Sequence, residues 1–172
     1  ADDCTFGILH SRFHELWSTA LGNRIGQGNQ RRYNNTSIFD TFPFPEGMTP
    51  DLSCEVCSKA PGATRIAVAA KRLHELRDAW LNPPELVRSE PEIAPNLPAR
   101  IVAVDAHAAV ALKKRTLTNL YNERPTWLAN AHNELDKAVA VAYGWPEDIS
   151  DQDALGRLLE INQSRATAAV NI

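Results

Sequence analysis

Apolar residues return every three or four positions along most of this chain, the period of one helix face. In residues 7–21, Ile8, Phe13, Leu16 and Trp17 fall near one face, with Leu9, Ala20 and Leu21 extending it, and Gly22 is a natural stop. Residues 64–81 carry the longest such stripe: Ile66, Ala70, Leu73, Arg77 and Trp80 step by three or four, Ala69, Leu76 and Leu81 widen it, and Pro83-Pro84 ends it. Asp105 caps a predicted helix that runs to about Tyr121, with Val110, Leu117 and Leu120 inward, and the Asn122 or Arg124-Pro125 step breaks it. A further helix is predicted over 125–143, with Leu128, His132, Leu135, Val139 and Ala142 in line, Gly144 as its C-cap and Pro146 beyond. Ser150-Asp151-Gln152-Asp153 is a capping-box pattern that opens a last helix through Leu155, Leu158 and Leu159 to about Asn162.

Between these stripes the period changes. Residues 23–35 are polar, glycine-rich and basic, which predicts a loop. Residues 37–44 are β-branched and aromatic, with Ile38 and Phe42 on one parity, which predicts a short strand ended by Pro43 and Pro45. Residues 85–99 hold Pro91, Pro95 and Pro98 and cannot form regular helix. The expected fold is mainly α: a helical, bundle-like C-terminal domain over 64–165, preceded by a short helix-loop-strand segment over 1–45 and a linker over 46–63, with a frayed tail over 166–172.

Composition narrows the class. With 172 residues, 44% hydrophobic and 23% charged, the chain is an ordinary globular sequence, and eight glycines and eleven prolines exclude collagen-like and low-complexity types. No apolar run approaches the roughly 20 residues of a membrane helix, so no membrane partner is expected. A net charge of -3 excludes a uniformly basic nucleic-acid module, though not a local basic patch. Three cysteines, an odd number, and enough apolar residues to build a core point to a reducing, cytoplasmic compartment. The chain opens on Ala1-Asp2-Asp3-Cys4 without a leader pattern, inside what reads as an element, so a fragment of a longer protein is expected.

Candidate chemistry is sparse. Cys54 and Cys57 form a CxxC, but zinc needs four ligands and only Cys4 and the histidines, such as His10, remain as partners; two unpaired loop cysteines are the preferred reading and no metal is expected. His10 and His14 are spaced i, i+4, a possible metal edge, without the intervening glutamate of a zinc-protease helix or a further acidic ligand at fixed spacing. Asn82-Pro83-Pro84-Glu85 is close to the Asn/Asp-Pro-Pro-aromatic tetrapeptide of amino-group methyltransferases, yet it follows an amphipathic helix and ends in a residue that cannot stack, so it reads as a helix stop. Gly26-Gln27-Gly28 lacks a flanking strand and helix for a phosphate cradle. No nucleophile triad can be assembled, and no catalytic residue is assigned. What remains is basic: Arg24, Arg31 and Arg32 suit phosphates, and Gln27, Asn29, Gln30 and Asn34 suit base edges, in a stretch with no acidic residue. Lys113, Lys114 and Arg115 form a second basic cluster on the helix before Tyr121. From the residues alone, a solvated surface is the preferred reading of either set.

Three stretches in this order resemble a known family. They are Gly7-Ile8-Leu9-His10-Ser11-Arg12-Phe13-His14-Glu15-Leu16-Trp17 with the later Arg32-Tyr33-Asn34-Asn35 and Phe42-Pro43-Phe44-Pro45; the run from Ala69 through Leu73-His74-Glu75-Leu76-Arg77-Asp78-Ala79-Trp80 to Pro84; and Arg115-Thr116-Leu117-Thr118-Asn119-Leu120-Tyr121, continuing to Tyr143-Gly144-Trp145. Together they are similar to the C-terminal part of large adenine-specific DNA methyltransferases, the single-chain type II restriction-modification enzymes and their methylase-only relatives. The resemblance implies that 1–45 closes a target-recognition region and that 64–165 is a helical C-terminal domain. It implies double-stranded DNA and an upstream methyltransferase domain as partners. It implies S-adenosylmethionine as cofactor of the parent protein, with none held in this fragment. The family's glycine motif and catalytic tetrapeptide lie upstream of the region resembled, so no catalytic residue carries over. The alternative is a helical docking or subunit-interaction module with no direct DNA contact, which the net charge favours.

Overall fold

The computed structural model describes residues 2–25, 30–91 and 99–170. The protein is mainly helical. Its chain divides into two compact units: one of residues 1–71 and 132–172, the other of residues 72–131.

In the first unit the predicted helix over 7–21 is two helices, α1 (Asp3–His10) and α2 (Arg12–Leu21). Ser11 between them is extended, and its hydroxyl and amide both donate to the Ile8 carbonyl. The amide of Arg12 donates instead to Oδ1 of Asp136, at 2.8 Å. A serine that competes for its own helix's carbonyls, plus a carboxylate brought in from far along the chain, makes the break. Two short strands follow, β1 (Asn23–Ile25) and β2 (Gln30–Arg32), paired antiparallel.

The strand expected over 37–44 is absent. Asn35–Phe39 forms a single π-helical turn, begun by Asn34, whose Oδ1 accepts from the Thr36 amide and hydroxyl. The Phe42-Pro43-Phe44-Pro45 stretch that follows is buried yet pairs with no strand among the described residues. Two prolines remove the amides a ladder needs. Side chains from far along the chain reach three carbonyls of Thr41–Phe44, with Asn162 donating to Thr41 (2.7 Å), the Tyr143 hydroxyl to Pro43 (3.1 Å) and Arg165 to Phe44 (2.8 Å), while the Phe42 and Pro45 carbonyls accept the Phe44 and Met48 amides. Residues 46–63 include the short helix α3 (Cys54–Cys57) and the buried Met48 and Cys57.

Helix α4 (Ala63–Leu81) opens in this unit. It comes so close to α1 that a Cβ on Gly7 would lie 2.7 Å from Ile66 Cγ2 and 3.0 Å from Ala70 Cβ. Helix α7 (Thr126–Ala142) ends here in a Schellman motif: Trp145 donates to the Ala140 carbonyl and Gly144, at φ 74°, to Val141. Tyr143 and Trp145 stack at 4.3 Å, and the edge of Phe13 meets both. The final helix α8 (Asp151–Val170) opens on the expected Ser150–Asp153 box and continues past Asn162. Ile8, Phe13, Trp17, Ile38, Ile66, Leu135, Val139 and Leu158 form the core of this unit.

The second unit holds the rest of α4, two strands, two helices and the start of α7. Strands β3 (Val87–Glu90) and β4 (Arg100–Ala103) pair antiparallel, with Val87 opposite Ala103 and Glu90 opposite Arg100, where no regular element was expected. The single helix expected after Asp105 is two, α5 (Ala106–Leu112) and α6 (Leu117–Glu123). Asp105 caps the first as expected, accepting from Ala108. Thr116 starts the second by accepting the Asn119 amide, while Asn119 Nδ2 donates to the Lys114 carbonyl and closes the turn. Leu120 is buried as expected. Val110 and Leu117 are not: 60% and 50% exposed, they sit on the outer sides of two separate helices.

Candidate nucleic-acid interface

The basic stretch after α2 folds back on itself. Gly22 closes α2 with its amide on the Ser18 carbonyl, and a Cβ there would collide with that same carbonyl, so glycine is needed for the sharp exit. The chain then pairs Asn23 with Arg32, Arg24 with Arg31 and Ile25 with Gln30. The expected loop is therefore a short hairpin. Its register sets two arginines directly opposite one another, and Arg32, at its base, is exposed. Gln27 and Asn29 lie outside the described residues, as does Gly26-Gln27-Gly28. Asn34, read as a base contact, is exposed and spends its Oδ1 on Thr36.

Behind the hairpin lies a polar pair that the contact residues expected from sequence do not include. His14 is only 8% exposed on α2, between the core residues Phe13 and Trp17. Its Nδ1 lies 3.1 Å from the Leu9 carbonyl and its Nε2 3.1 Å from the Tyr33 hydroxyl. A carbonyl only accepts, so Nδ1 carries the proton and the neutral ring's Nε2 accepts from Tyr33. Burial pushes the His14 pKa down and so favours the neutral form at physiological pH, partly opposed by the bond to Leu9. The available sequence signal was a histidine on an apolar helix face, which needs partners for both ring nitrogens. His10 belongs to α1 and His14 to α2, so their i, i+4 spacing does not put two ligands on one helix.

The second basic cluster lies in the other unit. Lys113, Lys114 and Arg115 occupy the turn between α5 and α6, not a helix. Both lysines are exposed. Arg115 is committed: its guanidinium donates to the Trp80 carbonyl and lies 5.2 Å from the centre of the Trp80 ring. Lys114 and Arg115, with Trp80, His107 and Glu123, border an open cleft of about 490 Å³.

The cysteines come together more than their spacing implied. Cys4, Cys54 and Cys57 line one cavity of about 330 Å³, and Cys54 Sγ donates to Asp2 Oδ2 at 3.6 Å. Burial, with the charges of Asp2 and Cys57, pushes the Cys4 pKa to about 11, so it stays a thiol. Among the described residues no three His, Cys, Asp or Glu side chains are grouped to hold a metal ion. Asn82 follows the end of α4 and its side chain donates to Asp78, as a helix stop would. No helix among the described residues is long and apolar enough to cross a membrane.

No family model matches the chain, and no curated protein does. Among solved structures, it is similar in fold to part of a restriction-modification enzyme. That enzyme is MmeI, of type IIL, whose structure was determined in complex with DNA. The likeness has a TM-score of 0.58 at 22% identity, and covers 97% of this chain but 17% of the MmeI chain. At that identity it establishes the fold.

Proposed function

We propose that this chain is a DNA-recognition and positioning region of a restriction-modification protein, without catalysis of its own. The carrying observation is the likeness in fold of nearly the whole chain to a sixth of an enzyme solved on DNA. The acid-free hairpin, with Arg32 exposed at its base, supports it with chemistry suited to a phosphate backbone. In this reading Arg24, Arg31 and Arg32 pair with phosphates, and Gln27, Asn29, Gln30 and Asn34 supply donors and acceptors for base edges. Lys113 and Lys114 form a second patch for phosphates. The finer reading, from the motif resemblance, is an adenine-specific methyltransferase: S-adenosylmethionine and the reacting adenine are held upstream, and this region orients the duplex while the base is flipped.

The test is the affinity of the protein for a short duplex across a salt series. Each phosphate contact contributes about 0.9 to the slope of log affinity against log salt. Replacing Arg24, Arg31 and Arg32 with alanine is expected to flatten the slope by about 2.7. An unchanged slope sinks the hairpin as a DNA contact. The docking-module reading, favoured by the chain's net negative charge, then takes its place.

A further inference from the structure

The hairpin's two legs are held differently. The first continues from α2 through Gly22, whose amide still bonds to the helix at Ser18. The second leaves β2 at Arg32, and the next residue, Tyr33, is 48% exposed. Its hydroxyl bonds to His14, which is itself fixed on three sides: by the Leu9 carbonyl at Nδ1, by the ring of Phe42 at 5.0 Å and 87°, and by its place in α2. Turning the imidazole over would replace the N–H at the Leu9 carbonyl with Cδ2–H, and the other tautomer would set a lone pair against it, so Nε2 has one direction in which to face. The following residue, Asn34, is occupied in starting the π-helical turn. The His14–Tyr33 bond is therefore the side-chain link by which the core sets where the second leg departs.

We propose that His14 is a positioning residue for the basic hairpin: through Tyr33 it fixes the exit of β2 and with it the placement of Arg31 and Arg32 for phosphate contact. The inference rests on the DNA reading above for its consequence, and on the hydrogen-bond geometry alone for its mechanism. A recognition hairpin held this way meets DNA already ordered and does not spend binding free energy on ordering itself.

The two parts separate experimentally. Tyr33→Phe removes only the hydroxyl. His14→Leu removes both ring nitrogens, and His14→Gln restores a polar group near Nε2. Amide exchange at 23–25 and 30–32, measured without DNA, reads the hairpin; affinity for a short duplex reads the consequence. Tyr33→Phe and His14→Leu are each expected to speed hairpin exchange and to weaken DNA binding by about five- to tenfold, the order expected for one lost hydrogen bond. His14→Gln should recover most of the loss. The double variant should be no worse than either single, because both remove the same link. Unchanged hairpin exchange in Tyr33→Phe overturns the proposal, as do single effects that multiply in the double variant. If His14→Leu fails to fold, Tyr33→Phe decides alone. Faster hairpin exchange in a protein that shows no salt-dependent DNA binding keeps the anchor and rejects the DNA reading instead.

Discussion

Asp136 lies in α7, and its carboxylate accepts the amide of Arg12 at the first turn of α2, where Ser11 makes no side-chain cap of its own. Burial is the larger influence on it and pushes its pKa up to about 6, aided by Glu15 and Asp151 and opposed by the Arg12 amide and guanidinium. A carboxyl whose pKa is higher folded than unfolded binds its proton more tightly in the native state. Its contribution to stability is complete below the ordinary carboxylate range and is lost as pH rises through about 6. Asn in its place can still accept from the Arg12 amide but does not titrate. The melting temperature of the native protein, taken relative to Asp136→Asn, is therefore expected to rise as pH falls from 7 to 5. A difference that stays flat, or falls, would mean that Asp136 is not buried enough to hold its proton.

Two helical glycines make opposite predictions, because one faces a neighbouring helix and the other does not. Gly7 in α1 sits against Ile66, Ala70 and Leu135, all fully buried, so a methyl group there must displace packed side chains. Overpacking of this kind costs about 1–3 kcal/mol, more than the ~1 kcal/mol of helix propensity gained. Gly156 in α8 is exposed, and nothing lies within 4 Å of its would-be Cβ. Gly7→Ala should lower the denaturation midpoint and Gly156→Ala raise it, the latter by about 0.5–1 kcal/mol. The same distinction between local and distant causes decides what was legible in the sequence. Asp105, Ser150 with Asp153, and Gly144 act on helix ends within a few residues, and all three were readable. The break at Ser11 depends on Asp136, and the Thr41–Phe44 stretch on Tyr143, Asn162 and Arg165, none of which is near in sequence. Strands β1 to β4 are three or four residues long and rich in charge, too short for alternation to show. The basic content of the candidate interface was legible for that reason as composition, but its pairing and its support by His14 and Tyr33 were not.

Charge sets the terms on which the whole molecule could meet DNA. Its net charge is -3, and with three arginines gathered between Arg24 and Arg32 the remainder is more acidic still. A polyanion is repelled by such a body at long range, so affinity must come from local clusters and must be steeply dependent on salt. The second cluster is smaller than its sequence suggests, since Arg115 is held by the carbonyl and ring of Trp80 while Lys113 and Lys114 stay exposed. The three residues should therefore part company under substitution. Removing both lysines is expected to flatten the salt slope by about 1.8 with the melting temperature nearly unchanged. Arg115→Ala should instead lower the melting temperature, by leaving the Trp80 carbonyl without its donor and the ring without its cation, and leave the slope alone. A slope that survives the loss of both lysines would take this turn out of the DNA interface and leave the hairpin to account for all of the binding.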